Sequence, residues 1–325
     1  MAAHAPHSLI CLGLGYSALF LAERLRNADP TQISGTVRSQ TKASALAAAG
    51  VDVYLWQGET PSGSPARPPS PSPSRLPSPS PSPPHAAPQA SPPPPVLPLT
   101  ERSIFLISTP PDADGCPAAR AFGQLAKDQP VIYLSTTGVY GDRAGAWVDE
   151  ASAPAPSSAR GERRLLAEQQ WRAVTPRLAI ARLPGIYGPG RSVLDRLRAQ
   201  QARRIVKPGL VFSRIHVANL AAGLHALLDA GVPSGVYHFT DDEPAPPEEP
   251  ITFGAECLGI APPPSEPFEP ASMSPMALSF YSECKRVSSQ RTRERLGWVP
   301  RYPTYREGLM AIVDGADAPP FGMDS

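Results

Sequence analysis

Strands in this chain read as continuous apolar runs rather than as alternating ones, and that restricts the fold more than any other feature. Ser8–Leu12 is such a run, and 32–37, 51–55, 103–107, 131–135 and 178–183 follow it. A strand without a polar face must be covered on both sides, which is the situation of a parallel sheet. Parallel strands need crossovers, and the segments between them supply these. Residues 16–26 carry Leu19, Phe20, Ala22 and Leu25 as a stripe at helical spacing, and 43–49, 118–127 and 160–171 also read as helices. The pattern predicts an α/β fold: a doubly wound parallel sheet with helices on both faces.

Proline interrupts the pattern once, heavily. Residues 61–98 hold 17 Pro and 9 Ser, so neither a helix nor a central strand can form there. Few aliphatic side chains remain to bury, and the stretch is expected to be a disordered or polyproline-II surface insertion. Its alternative to an inert spacer is a docking segment for a protein partner. From 184 onward the pattern loosens into helices near 192–201, 217–228, 252–258 and 305–313 joined by Pro-rich loops. The expected organisation is a nucleotide-binding unit over 1–183 and a smaller substrate lobe over 184–325, with substrate between them.

Composition removes several functions from consideration. The chain has 325 residues and a formal net charge of +1, without the clustered basic excess of a nucleic-acid binder. No apolar run reaches the ~20 residues of a membrane span. Residues 1–8 lack the features of a secretory or transit signal, and Cys11, Cys116, Cys257 and Cys284 are too scattered for a disulfide frame or a zinc site. A cytoplasmic protein with reduced thiols and no metal is expected. It has no HExxH helix and no GxSxG elbow.

The segment Gly13-Leu14-Gly15-Tyr16-Ser17-Ala18 follows the first strand and opens the first helix. In that context Gly13 permits the tight turn, Gly15 lets backbone approach a pyrophosphate, and small Ala18 lets helix and strand pack closely. The phosphates would meet free N–H groups and the positive end of the helix dipole. An NAD site usually carries Asp or Glu about 20 residues further on. Here the second strand ends in Thr36-Val37-Arg38 and offers no carboxylate, so Arg38 is expected to pair with a 2′-phosphate. NADP is therefore favoured over NAD.

These residues, with Ser108-Thr109-Pro110-Pro111, the run 134–141, Arg182-Leu183-Pro184-Gly185-Ile186-Tyr187-Gly188, Arg214-Ile215-His216-Val217 and the tail from Lys285 to Leu309, resemble the extended short-chain dehydrogenase/reductase superfamily. Within it the chain resembles the NAD-dependent epimerase/dehydratase group and its atypical YeeZ-like branch. The resemblance covers nearly everything outside the Pro/Ser insertion. It implies that Tyr16, Ser17, Thr109, Pro110, Arg164 and Pro184 border the cofactor, and that Thr136 is the hydroxyl bonded to a substrate oxygen. Thr137 and Gly138 stand where sugar-nucleotide dehydratases carry an Asp-Glu pair, which speaks against dehydration. The family's Tyr-x-x-x-Lys motif is replaced by Arg160 and Arg164. A guanidinium, with a pKa of roughly 12.5 to 13.8, cannot serve as a base at neutral pH. Tyr140, Tyr187 and His216 are the alternatives for proton transfer, and Arg160 is assigned to an anionic substrate. The expected activity is oxidoreductase or epimerase-type chemistry on a small hydroxy, carbonyl or nucleotide-linked substrate, with a homodimer as a candidate assembly. The competing expectation is a catalytically silent NADP(H) sensor acting through a protein partner.

Overall fold

In the computed structural model, which describes residues 8–28, 31–58 and 93–322, β1 (Ser8–Leu12) lies inside a seven-stranded sheet. On one side follow β2 (Gln32–Val37) and β3 (Asp52–Leu55). On the other follow β4 (Ser103–Ile107), β5 (Val131–Thr136), then Leu178–Leu183 and Gly235–His238. Every pairing in it is parallel, as the apolar runs require. Helices α1 (Tyr16–Ala28), α2 (Gln40–Ala48), α3 (Pro117–Ala126) and α4 (Ala159–Val174) are the crossovers.

Side-chain alternation in β1 shows why its run is unbroken. Leu9 and Cys11 enter an apolar cluster with Leu21 and Leu25 of α1 and with Leu220 and Leu224 of the helix Val217–Asp229. Ile10 and Leu12 enter the opposite cluster, with Phe122 of α3 and Trp171 of α4. All four β1 side chains are fully buried. Each contributes roughly 1.5–3 kcal/mol relative to exposure, so either face would be lost if polar.

Beyond residue 183 the chain both completes this sheet and adds to it. Gly235–His238 pairs with Leu178–Leu183, and the helix Val217–Asp229 packs over α1. Three short parallel pairs also form: Gly185–Tyr187 with Arg214–His216, Arg204–Val206 with Ser265–Pro267, and Trp147–Val148 with Arg286–Val287. Most of the expected Pro/Ser insertion, residues 61–92, lies outside the described residues. Its last part corrects the expected boundary: Leu97 is only 6% exposed and joins the cluster of Trp56 and Phe122. One aliphatic side chain suffices to return the chain to the core. No helix among the described residues is long and apolar enough to cross a membrane.

Candidate functional site

Strand order reverses between β1 and β4, and in open α/β sheets the crevice beyond the carboxyl ends at such a point is where ligands bind. The loop after β1 turns there. Gly13 has φ +97°, and a Cβ on it would stand 2.9 Å from Ser108 Oγ and 3.2 Å from the Thr109 nitrogen. Its N–H donates to Thr36 Oγ1 at 2.9 Å, its carbonyl accepts from the Ser108 hydroxyl, and Thr109 Oγ1 donates to the Leu12 carbonyl at 2.8 Å. The ends of β1, β2 and β4 are thereby tied into one rigid turn. Gly15 differs: its absent Cβ would meet nothing nearer than Ser108 Oγ at 3.7 Å. A side chain there would enter the cavity that the turn faces.

That cavity, about 480 Å³, is lined by Gly15, Tyr16, Ser17 and Ser108 at one end and by Thr136, Thr137 and Gly138 beside them. Arg160, Arg164 and Pro184 complete the sequence-predicted set that it gathers. Thr136 ends β5 and caps the 3-10 turn Thr137–Tyr140, its Oγ1 accepting from the Gly138 N–H at 3.2 Å. The cap uses a lone pair and leaves the hydroxyl proton for a ligand. Arg160 is held close by because Gly161, the next residue, packs on the Gly138 carbonyl; a Cβ at 161 would lie 2.7 Å from that oxygen. Arg164, one helical turn on, donates from Nη1 to Tyr133 OH and to the Leu134 carbonyl, both at 3.1 Å. Its Nε is buried without a partner.

Three of the expected proton carriers are placed elsewhere. Tyr140 is fully buried and receives Nη1–H of Arg182 at 2.9 Å, with His238 Nε2 at 2.7 Å. His238 Nδ1 faces the Ser288 carbonyl at 2.9 Å and must donate to it, so Nε2 accepts the phenol proton. Burial pushes the Tyr140 phenol up to about 12 against the opposing charge of Arg182. Arg182 in turn holds Glu168 through Nε at 3.0 Å and Nη2 at 2.8 Å, and Ser135 donates to the same carboxylate at 2.6 Å. Tyr140 thus belongs to a buried polar network under the sheet. Tyr187 lines a neighbouring hollow of about 440 Å³, its hydroxyl buried, unpartnered and pressed against Gly308; burial raises its pKa. His216 caps the helix Val217–Asp229, Nδ1 accepting from the Ala218 N–H at 3.2 Å, between the rings of Tyr187 and Tyr302. Burial lowers its pKa to about 4. Neutral and enclosed, it does not border the large cavity.

Of the remaining expected residues, Ala18 is buried between α1 and the sheet, and Thr109 serves the β1–β4 junction. Pro110 and Arg38 are exposed, outside the cavity lining; Arg38 follows Thr36, whose hydroxyl receives the Gly13 N–H. Sequence reasoning passed over Arg191, Arg214, Phe280, Glu283 and Lys285, all of which line the cavity. Lys285 donates to Glu283 Oε2 at 2.6 Å and to the Gly141 carbonyl at 2.8 Å. Arg214 and Lys285 open stretches that carried the family resemblance, a signal for them that was present in the sequence. Among the described residues no group of three or more His, Cys, Asp or Glu side chains is arranged to hold a metal, and the four cysteines are free.

No protein-family model matches the chain. Among solved structures, a functionally unknown conserved protein from Silicibacter pomeroyi DSS matches 96% of this chain and 100% of its own, at 38% identity and a TM-score of 0.75. A UDP-glucuronic acid 4-epimerase from Bacillus cereus, in complex with UDP-glucuronic acid and NAD, matches 94% of this chain and 98% of its own, at 14% identity and a TM-score of 0.65. Among curated proteins, a 3-diazoavenalumate denitrifying reductase from Streptomyces sp is 30% identical over 141 residues, 40% of this chain and 45% of that one. The chain thus matches rather less than half the length of that relative.

Proposed function

From the premise that the chain has the extended short-chain dehydrogenase/reductase fold, we propose that it is a nicotinamide dinucleotide-dependent oxidoreductase or epimerase-type enzyme. The observation that carries this reading is that the glycine turn and the Thr136 hydroxyl open on one cavity. The residues fit such a cofactor. Gly15 leaves room for phosphate oxygens at the N-terminus of α1, where N–H groups and the helix dipole favour negative charge, and Gly13 lets the turn close against Ser108 and Thr109. Arg38, at the end of β2, takes a 2′-phosphate and selects NADP. Arg164 and Pro184 border the nicotinamide end. In this reading 1–183 supplies the cofactor site, and residues beyond 184 supply the facing wall for a small hydroxy, carbonyl or nucleotide-linked substrate.

When bound, the nicotinamide ring gives or accepts a hydride. Thr136 orients the substrate oxygen through its remaining O–H, and Ser108 and Thr36 keep the turn rigid while this happens. A proton is harder to find. Tyr16 lines the cavity but its O–H donates to the Pro189 carbonyl at 3.0 Å, and no histidine lines it. Arg160 cannot release a proton at neutral pH, and Glu283 and Lys285 are paired with each other at 2.6 Å. The chemistry this arrangement favours takes its proton from water or needs none. Reductive displacement of a diazonium group is of the second kind: hydride forms the new C–H bond, the C–N bond breaks, and dinitrogen leaves with that bond's electron pair. The partly matching denitrifying reductase is named for such a change, which makes aryl diazo compounds a rational second panel beside carbonyls.

Calorimetric titration with NADPH and NADH, on the parent and on Arg38→Asp, tests the reading. NADPH should bind more tightly to the parent, and the substitution should narrow or reverse the preference. Well-folded protein without affinity for either coenzyme at millimolar concentration would overturn the proposal. Binding with neither oxidation of NADPH by any member of either panel nor epimerisation of a sugar nucleotide would favour the silent sensor instead.

A further inference from the structure

The charge of the large cavity is one-sided. Arg160, Arg164, Arg191, Arg214 and Lys285 line it, against Glu283 alone among its acidic side chains. Glu283 is already spent: Lys285 lies 2.6 Å from it, and the hydroxyls of Ser157 and Ser158 each donate to it at 3.1 Å. Arg160, Arg164, Arg191 and Arg214 form no ion pair with a carboxylate among the described residues. Unpaired cations converging on a hollow repel one another, and an anion placed among them relieves this.

Their surroundings divide the work. Arg191 lies over the Tyr16 ring at 5.5 Å, beside the turn that would meet the cofactor phosphates. Arg214 gives Nη1 to the carbonyls of Phe212 and Ala245 at 2.8 and 3.1 Å. Arg164 is tied to Tyr133 and Leu134. Arg160 and Arg191 are the exposed ones, and Arg160 has its guanidinium 5.0 Å from the centre of the Phe280 ring and its backbone held against Gly138 through Gly161. A planar fork stacked on an aromatic face keeps its N–H edges free for a two-pronged acceptor. Partial burial of the guanidinium and the charges of Arg164 and Arg191 disfavour the bare cation, and Glu283 opposes them.

Resting on the reading of this cavity as the reaction site, we propose that the substrate is an organic oxyanion, a carboxylate or a phosphate, gripped by Arg160 over Phe280 while its reacting carbon lies at Thr136. Arg160 is then a binding residue that selects the substrate class, in the place where a proton donor would otherwise stand.

The test titrates sodium benzoate, phenyl phosphate and neutral benzamide into the free protein and into its NADPH complex, in low-salt buffer without phosphate. At least one anion should bind about tenfold or more tightly than benzamide, and the tighter of the two tells a carboxylate from a phosphate handle. Arg160→Gln should erase the difference, and Arg160→Lys should keep part of it, since charge survives and the fork does not. Equal binding of all three probes to the parent, or undiminished anion binding by a folded Arg160→Gln, would overturn the proposal. Failure of NADPH to bind would instead refute the cofactor reading, and the titrations of free protein would still decide this one.

Discussion

Replacing Tyr140 by Phe separates a structural phenol from a catalytic one. In the structure its oxygen accepts from Arg182 Nη1 at 2.9 Å and its proton goes toward His238 Nε2 at 2.7 Å, in a site with no solvent exposure. Phe keeps the ring, so packing is conserved and the loss is confined to the groups that meet the hydroxyl: Arg182, His238 and the Asp149 carbonyl at 3.1 Å. Arg182 keeps both bonds to Glu168, at 3.0 and 2.8 Å, so its charge stays paired and the ~3–5 kcal/mol cost of an isolated buried charge does not apply. What remains is one guanidinium N–H and one imidazole nitrogen left unpartnered, at roughly 1–3 kcal/mol each, beside the partly buried Asp149 carbonyl. A net loss of about 2–6 kcal/mol lowers the melting midpoint of a chain of this size by roughly 3–9 °C. Thermal and urea denaturation would measure it, with NADPH calorimetry and turnover followed on the same samples. NADPH affinity should be retained, and turnover should fall only as far as the folded fraction does. A midpoint within about 1 °C of the parent, with turnover lost by two orders of magnitude or more, would refute the assignment and return Tyr140 to the proton-transfer role.

Other outcomes follow from the same geometry. Gly13→Ala forces a Cβ to φ +97° and to within 2.9 Å of Ser108 Oγ, so it should destabilise the fold by about 1–3 kcal/mol in urea titrations. Gly15→Ala meets nothing nearer than 3.7 Å and should leave the melting midpoint unchanged while weakening NADPH binding at least tenfold; the reverse ranking would remove the turn from the cofactor site. Asp241 is 3% exposed, neither of its oxygens has a partner, and burial raises its pKa to about 8 despite the charge of Arg214. The folded state therefore holds a proton that an unfolded Asp, with pKa near 3.9, has released, and stability falls as pH rises between those values, by at most ~1.4 kcal/mol per pH unit. Asp241→Asn should flatten that slope and leave the protein more stable than the parent at pH ~8; identical slopes would show that Asp241 is ionised in the fold.

The sheet and the glycine turn were legible in the residues themselves because both are local. An unbroken apolar run such as Ser8–Leu12 reports two covered faces, and Gly13 straight after it reports a turn that only a residue without a Cβ can make against β4. Thr136, Arg160 and Arg164 could be placed on one side of the chain from spacing and resemblance, and they line one cavity. Side-chain partnership was not legible. Tyr140 reads as an available phenol until His238 and Arg182 are brought onto it from 98 and 42 residues away. The one-sided charge of the cavity is equally a product of folding: Arg214 and Lys285 open stretches that carried the family resemblance, but only the packing of distant elements brings them to Arg160 and Arg164. Periodicity along a chain records how much of each element is covered, because coverage acts on every turn or every second residue. Which donor meets which acceptor is decided once, by the packing of distant elements, and the commitments of Tyr140, Tyr187 and His216 belong to that second kind of information.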